Sequence, residues 1–311
     1  MINICMKHVI YYDKKYYENY DEIIKDIFDN NNLNYDLNDS KILNIIGMYY
    51  FDKNEFDKMK QYYLMSINLN DSYAMCNFGY YYQTIGYYAN MEELYLKAIE
   101  LNSSCAMCYL GYHYQQTVRD YTIMKKYYLK AIELNNCGAM NNLGCYYQTI
   151  EKNYDEMKKY YLMAIELDNI YAMNNFGYYY QYIEKNYDEM KKYYLMAIKL
   201  NNPVAMYNLG FYYETINNYE EMIKYYLMSI KFNDKKTLSI VCNKFKTEIQ
   251  HYLLKNINSN IAIEKIKQLE ENNFLGVKIF KDLTEYVFNP QRLLRICNLY
   301  EIELNDYMDI I

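Results

Sequence analysis

Apolar and polar positions along the middle of this chain follow a helical beat. Met140, Leu143, Gly144 and Tyr147 are spaced 3, 1 and 3 apart, which sets them on one face of a helix. After a polar break at Lys152-Asn153, a second stripe runs through Tyr154, Met157, Tyr161, Ala164 and Ile165, and Leu167 closes its last turn. Asp168-Asn169 follows, as Asn102-Ser103-Ser104 does earlier. Such residues compete for backbone hydrogen bonds and favour turns and helix caps. The pattern therefore predicts a pair of helices, and the pair recurs. Gly47, Gly79, Gly111, Gly144, Gly177 and Gly210 lie 32 or 33 residues apart, and a fixed period of that size marks a stacked repeat array.

The recurring glycine lies inside the first helix, where it costs about 1 kcal/mol relative to alanine. Close helix contact is the simplest compensation. On that view Ala98, Ala131, Ala164 and Ala197 of the second helix, with Ser66 and Ser229 in the outer copies, are the small residues that face it. Met157 and Met163 are flexible fillers for gaps around such residues.

Leu143-Gly144, Tyr147, Tyr154-Asp155-Glu156, Tyr161, Ala164 and Glu166-Leu167-Asp168 together resemble the tetratricopeptide repeat. Met140 replaces its bulky aromatic, Met157 its first alanine and Asn169 its closing proline. The loop inside the later copies is longer and the link between copies shorter. That short link, Ala164 to Gly177, is more similar to the Sel-one-like branch of these helix-pair repeats. The wording of Ala139–Gln148 is also similar to repeats of large DNA viruses of amoebae. The resemblance implies an all-α, right-handed α-solenoid of antiparallel helix pairs, with the first helices lining a concave groove. It covers residues 41–236 in six copies. Residues 1–40 are expected to hold one helix, Lys14 to Phe28, and a linker in which Asp39 or Ser40 caps the next helix. Residues 237–311 keep a helical pattern, near 237–255, 260–271, 276–287 and 290–303, with Pro290 suited to a first turn. They form either a helical cap or a small docking module.

The chain has 311 residues, 52% of them hydrophobic, and a net charge of −6 with pI about 5.3. That balance speaks against nucleic acid as a partner, since polyanion binding rests on clustered Lys and Arg. Tyr numbers 46, Trp 0 and Pro 2, while Arg is confined to Arg119, Arg292 and Arg295, a bias that AT-rich coding produces. No stretch approaches the length of a membrane span. The opening segment lacks the apolar centre of a secretory signal, so the 8 cysteines are expected to be thiols in a reducing, cytoplasmic compartment.

Candidate chemistry is sparse. Cys105-Ala-Met-Cys108 is a single CxxC without the second ligand pair of a zinc site, and its cysteines occupy ordinary variable positions of the repeat. His8, His113 and His251 are far apart, and His113 fills a slot that is Tyr in most copies. Asp155-Glu156 and its equivalents sit at the start of the second helix, where acids favour the helix dipole. Lys158-Lys159 and Lys191-Lys192 are expected on a solvated face beside Glu156 and Glu189. No phosphate-binding glycine motif is present. We therefore expect no enzyme activity, cofactor or metal.

If the first helices line a groove as the resemblance implies, their exposed positions form a ladder of aromatic rings and amides. Its candidate partner-binding residues are Tyr80, Gln83, Tyr112, Gln115, Asn141, Gln148, Asn174, Tyr178, Gln181, Phe211 and Glu214. Tyr offers contact area at low rotamer cost, and Gln can bond a peptide backbone through both its oxygen and its amide. The leading expectation is a non-enzymatic protein-interaction scaffold that binds a peptide segment or helix. The alternative is an adaptor that recruits substrates to a larger complex, such as a protein-degradation machine.

Overall fold

The computed structural model describes residues 20–28, 38–216 and 218–231. The expected helices beyond 237, and the Lys14 start of the first one, lie outside those residues. Every described element is helical: α1 Tyr20–Phe28, α2 Ser40–Asp52, α3 Phe56–Asn68, α4 Ser72–Thr84, α5 Tyr88–Glu100, α6 Ser104–His113, α7 Tyr121–Glu133, α8 Cys137–Tyr146, α9 Tyr154–Glu166, α10 Ile170–Tyr179, α11 Tyr187–Lys199, α12 Pro203–Thr215 and α13 Tyr219–Lys231. They form two compact units, one ending at Ala172 and one beginning at Met173. The first stacks the pairs α2–α3, α4–α5, α6–α7 and α8–α9, with α1 against α2; the second stacks α10–α11 and α12–α13.

Local chemistry sets the ends of these helices. Asp39, Asp71, Ser103, Asn136, Asn169 and Asn202 cap the first helices, each side-chain oxygen accepting a backbone N–H of the first turn. Between pairs the chain passes through one left-handed Asx residue, Asn70, Asn102, Asn135, Asp168 or Asn201, with φ between 56° and 61°. Asn and Asp tolerate that conformation best after glycine, so a link of three residues suffices.

The 33-residue copies absorb their extra residue inside the first helix. α6, α8 and α10 end in a π-helical turn, Tyr114–Val118, Tyr147–Glu151 and Tyr180–Glu184. The carbonyl of Tyr114 accepts from Asp120 six residues on, where in the shorter copies Tyr50 accepts from Glu55 five residues on. The second helix thus starts from the same place in both lengths.

The glycines are explained differently from the sequence expectation. A Cβ on Gly47, Gly79, Gly111, Gly144, Gly177 or Gly210 would come within 2.5–2.7 Å of a ring carbon of Tyr63, Tyr95, Tyr128, Tyr161, Tyr194 or Tyr226. The partner is an aromatic ring of the second helix, not its alanine. All six rings are fully buried. Burying one large side chain contributes about 1.5–3 kcal/mol, more than the roughly 1 kcal/mol that helical glycine costs. The Ala/Ser slot lies elsewhere, where the end of the second helix meets the start of the first. Ser66 Oγ donates to the Ser40 carbonyl at 2.7 Å and Ser229 Oγ to that of Pro203 at 2.8 Å.

Buried amides stitch successive pairs together. Asn77 Nδ2 donates to Asn44 Oδ1 at 3.0 Å and Asn142 Nδ2 to Cys108 Sγ at 3.7 Å; in the second unit Asn208 Nδ2 donates to Asn174 Oδ1 at 2.9 Å. Two caps do double duty. Asn136 and Asn169 cap with their oxygen and donate their amide one repeat back, to Ser104 Oγ and the Cys137 carbonyl.

Gly144→Ala is expected to destabilise the protein by about 1–3 kcal/mol in urea denaturation, because Tyr161 must move. The exposed change Glu133→Ala should stay within about 0.5 kcal/mol. A Gly144→Ala protein as stable as the parent would remove the ring as the reason for glycine.

Candidate partner-binding face

In the first unit α2, α4, α6 and α8 pack one on the next, and α3, α5 and α7 each lie against the first helix that follows. The first helices form a layer, and the candidate residues sit on it. Tyr80, Gln83, Tyr112 and Gln115 are half-buried, while Asn141 and Gln148 are 3% and 8% exposed. In the second unit Tyr178 is 36% exposed, Asn174, Phe211 and Glu214 are half-buried, and Gln181 is buried. Aromatic positions reach solvent more than the amides do.

The reason is a contact that the repeat pattern does not reveal. In five of the six pairs the hydroxyl of the buried core tyrosine extends past the glycine and meets the Gln or Glu four residues further along the first helix. Tyr128 donates to Gln115 Oε1 at 2.8 Å, Tyr161 to Gln148 Oε1 at 2.7 Å, and Tyr95 more loosely to Gln83 at 3.5 Å. In the second unit Tyr194 donates to Gln181 Oε1 and Tyr226 to Glu214 Oε2, both at 2.8 Å. A buried hydroxyl needs a partner, and these oxygens supply it. Burial also raises the pKa of Tyr95, Tyr161 and Tyr194 well above the usual phenol range. The expectation that glutamine offers a ligand both its oxygen and its amide is thereby corrected: the oxygen already serves the core.

The remaining face is aromatic. Tyr178 and Tyr182 have ring centroids 4.5 Å apart, and Tyr207 stacks on Tyr226 at 5.5 Å. Asn141 Nδ2 donates to Asn142 Oδ1 at 3.4 Å. Cys76, Cys108 and Cys145 are buried, and desolvation raises the thiols of the first two well above their ordinary value. They are neutral and suit packing, not nucleophilic attack. Among the described residues no three His, Cys, Asp or Glu gather as metal ligands. No helix among them is long and apolar enough to cross a membrane.

The charged residues lie on another surface, in a recurring clip. Tyr147 stacks on Tyr160 at 5.7 Å; Lys159 Nζ sits 4.8 Å over Tyr160 and 3.0 Å from Glu156. The second unit repeats it twice, with Tyr180, Tyr193, Lys192 and Glu189, then with Tyr213, Tyr225, Lys224 and Glu221. One lysine of each basic pair is therefore engaged with its own repeat. The recurring Glu-Met-Lys-Lys-Tyr carried that signal. A related contact joins Tyr114 to Glu92, hydroxyl to carboxylate, at 2.9 Å.

The tetratricopeptide repeat family model matches residues 40–73, 72–105, 138–171 and 203–235. A Sel1 repeat protein from Oxalobacter formigenes is similar in fold, with 22% identity, TM-score 0.50, and 63% of this chain and 89% of that one covered. A protective antigen of uropathogenic Escherichia coli with the SLR fold has 16% identity and TM-score 0.47, covering 84% of this chain and 72% of that one. No curated protein matches the sequence.

The Tyr114 hydroxyl supplies a pH test. Burial, and then its hydrogen bond to Glu92, push its pKa up to about 12. The unfolded phenol ionises near 10. Its contribution to stability is therefore complete below about pH 10 and is lost as pH rises toward about 12. Urea midpoints measured across that range should fall, and fall less in Tyr114→Phe. Equal slopes for the two proteins would refute the assignment.

Proposed function

The chain is a tetratricopeptide/Sel1-like repeat protein, and from that premise we propose that it is a non-enzymatic scaffold. It binds a peptide segment or helix of another protein on its first-helix faces. Folds of this class typically act as protein-interaction scaffolds. The observation that carries the reading is the placement of Tyr80 and Tyr112 in one unit, and Tyr178 and Phe211 in the other. Each stands on a first helix, partly open to solvent. Rings held on a rigid helix lose little entropy on binding, and Tyr is enriched among binding hot spots. In this reading residues 41–236 are the docking array and 237–311 a cap or small module. The chain works in a reducing, cytoplasmic compartment, in keeping with buried thiols that pack as small apolar side chains.

The test is capture of partners by the full chain and by a variant carrying Tyr112→Ala, Tyr178→Ala and Phe211→Ala. Each hot-spot ring is expected to contribute about 2 kcal/mol, so recovery should collapse while the helical circular dichroism is retained. Unchanged recovery by a folded variant would remove these faces from the function.

A further inference from the structure

Charge is absent from two neighbouring first helices of the first unit, α4 and α6. No Asp, Glu, Lys or Arg occurs in α4 (Ser72–Thr84) or in α6 with its π turn (Ser104–Val118). The charges of the same pairs lie on the second helices, such as Glu92, Glu93 and Lys97 on α5 or Lys125, Lys126 and Lys130 on α7. A charged side chain laid on the α4–α6 face would lose hydration and meet no counter-charge on those helices. That face suits a neutral segment.

The hydrogen-bonding capacity of the face is also one-sided. Gln83 and Gln115 give their oxygens to Tyr95 and Tyr128. Among the described residues no partner takes their Nε2. What they hold out is N–H donors. Each donor stands three residues from a half-buried ring, Tyr80 or Tyr112, on the same face of its helix. A fitting ligand is rich in carbonyl acceptors and poor in N–H groups, and polyproline has that property, since proline carries a carbonyl and no backbone N–H. Its dimensions fit as well. Polyproline II has three residues per turn at about 3.1 Å each, or about 9 Å per turn. Packed helices such as α4 and α6 stand about 8–10 Å apart. One turn of such a ligand therefore advances by one repeat.

We propose that the α4–α6 face binds a proline-rich segment of another protein in the polyproline II conformation. The segment lies across the two helices, with prolines stacked on Tyr80 and Tyr112 and carbonyls accepting from Gln83 and Gln115. This rests on the docking reading above and names its ligand.

The probe is fluorescein-labelled decaproline titrated with the full chain, beside glycine–serine, glutamate and lysine decapeptides. Decaproline is expected to bind at least about tenfold more tightly than the other three. Its affinity should change less than about twofold between low and high salt, because no charge pair is formed. Tyr112→Ala should weaken it about tenfold. Gln115→Glu keeps an acceptor for Tyr128, as Glu214 does for Tyr226, and removes the donor; it should also weaken decaproline about tenfold. Decaproline that fails to bind at about 1 mM, or binds without responding to either substitution, overturns the proposal. If another decapeptide binds and Tyr112→Ala abolishes it, the ligand class is wrong and the docking face stands. If none binds and the triple variant still captures partners, both readings fall.

Discussion

Each described helix pair closes on one contact, a glycine of the first helix against the flat ring of a tyrosine from the second. Six copies share it. The ring occupies the volume that a Cβ would need, so the two helices approach as closely as an aromatic thickness permits. Other features take their places around this contact. The tyrosine is fully buried, and in five of the six copies the residue before it is a second tyrosine that stacks outward on another tyrosine.

The hydroxyl of the buried tyrosine links the core to the surface. A buried phenol must find an acceptor, and the nearest one is the Gln or Glu four residues after the glycine. These first-helix side chains are thus oriented from behind, by the same ring that holds the pair together. The Gln and Glu oxygens are thereby turned inward, and aromatic neighbours such as Tyr178 reach solvent.

Charge follows a complementary division. Lysines and glutamates collect on the second helices and their turns, where they pair at i, i+3 and lie over tyrosine rings. Such exposed pairs stabilise only weakly. Their larger effect is to keep the second-helix surface solvated, while α4 and α6 carry no Asp, Glu, Lys or Arg.

Much of this architecture was legible in the chain itself. Helix pairs, their caps and the Asx turns follow from spacing and from the local hydrogen bonding of Asn, Asp and Ser, which need no distant partner. Exposure was legible in part: Tyr112 and Tyr178 are partly open to solvent on their first helices, whereas Gln148 and Asn141 are buried. The sequence alone determined the period and the helix pairs, because these are properties of neighbours along the chain. Tertiary structure alone decided that glycine meets tyrosine and not alanine, and that glutamine turns its oxygen inward. Both depend on which side chains meet when two helices close, and no one-dimensional pattern records that distance.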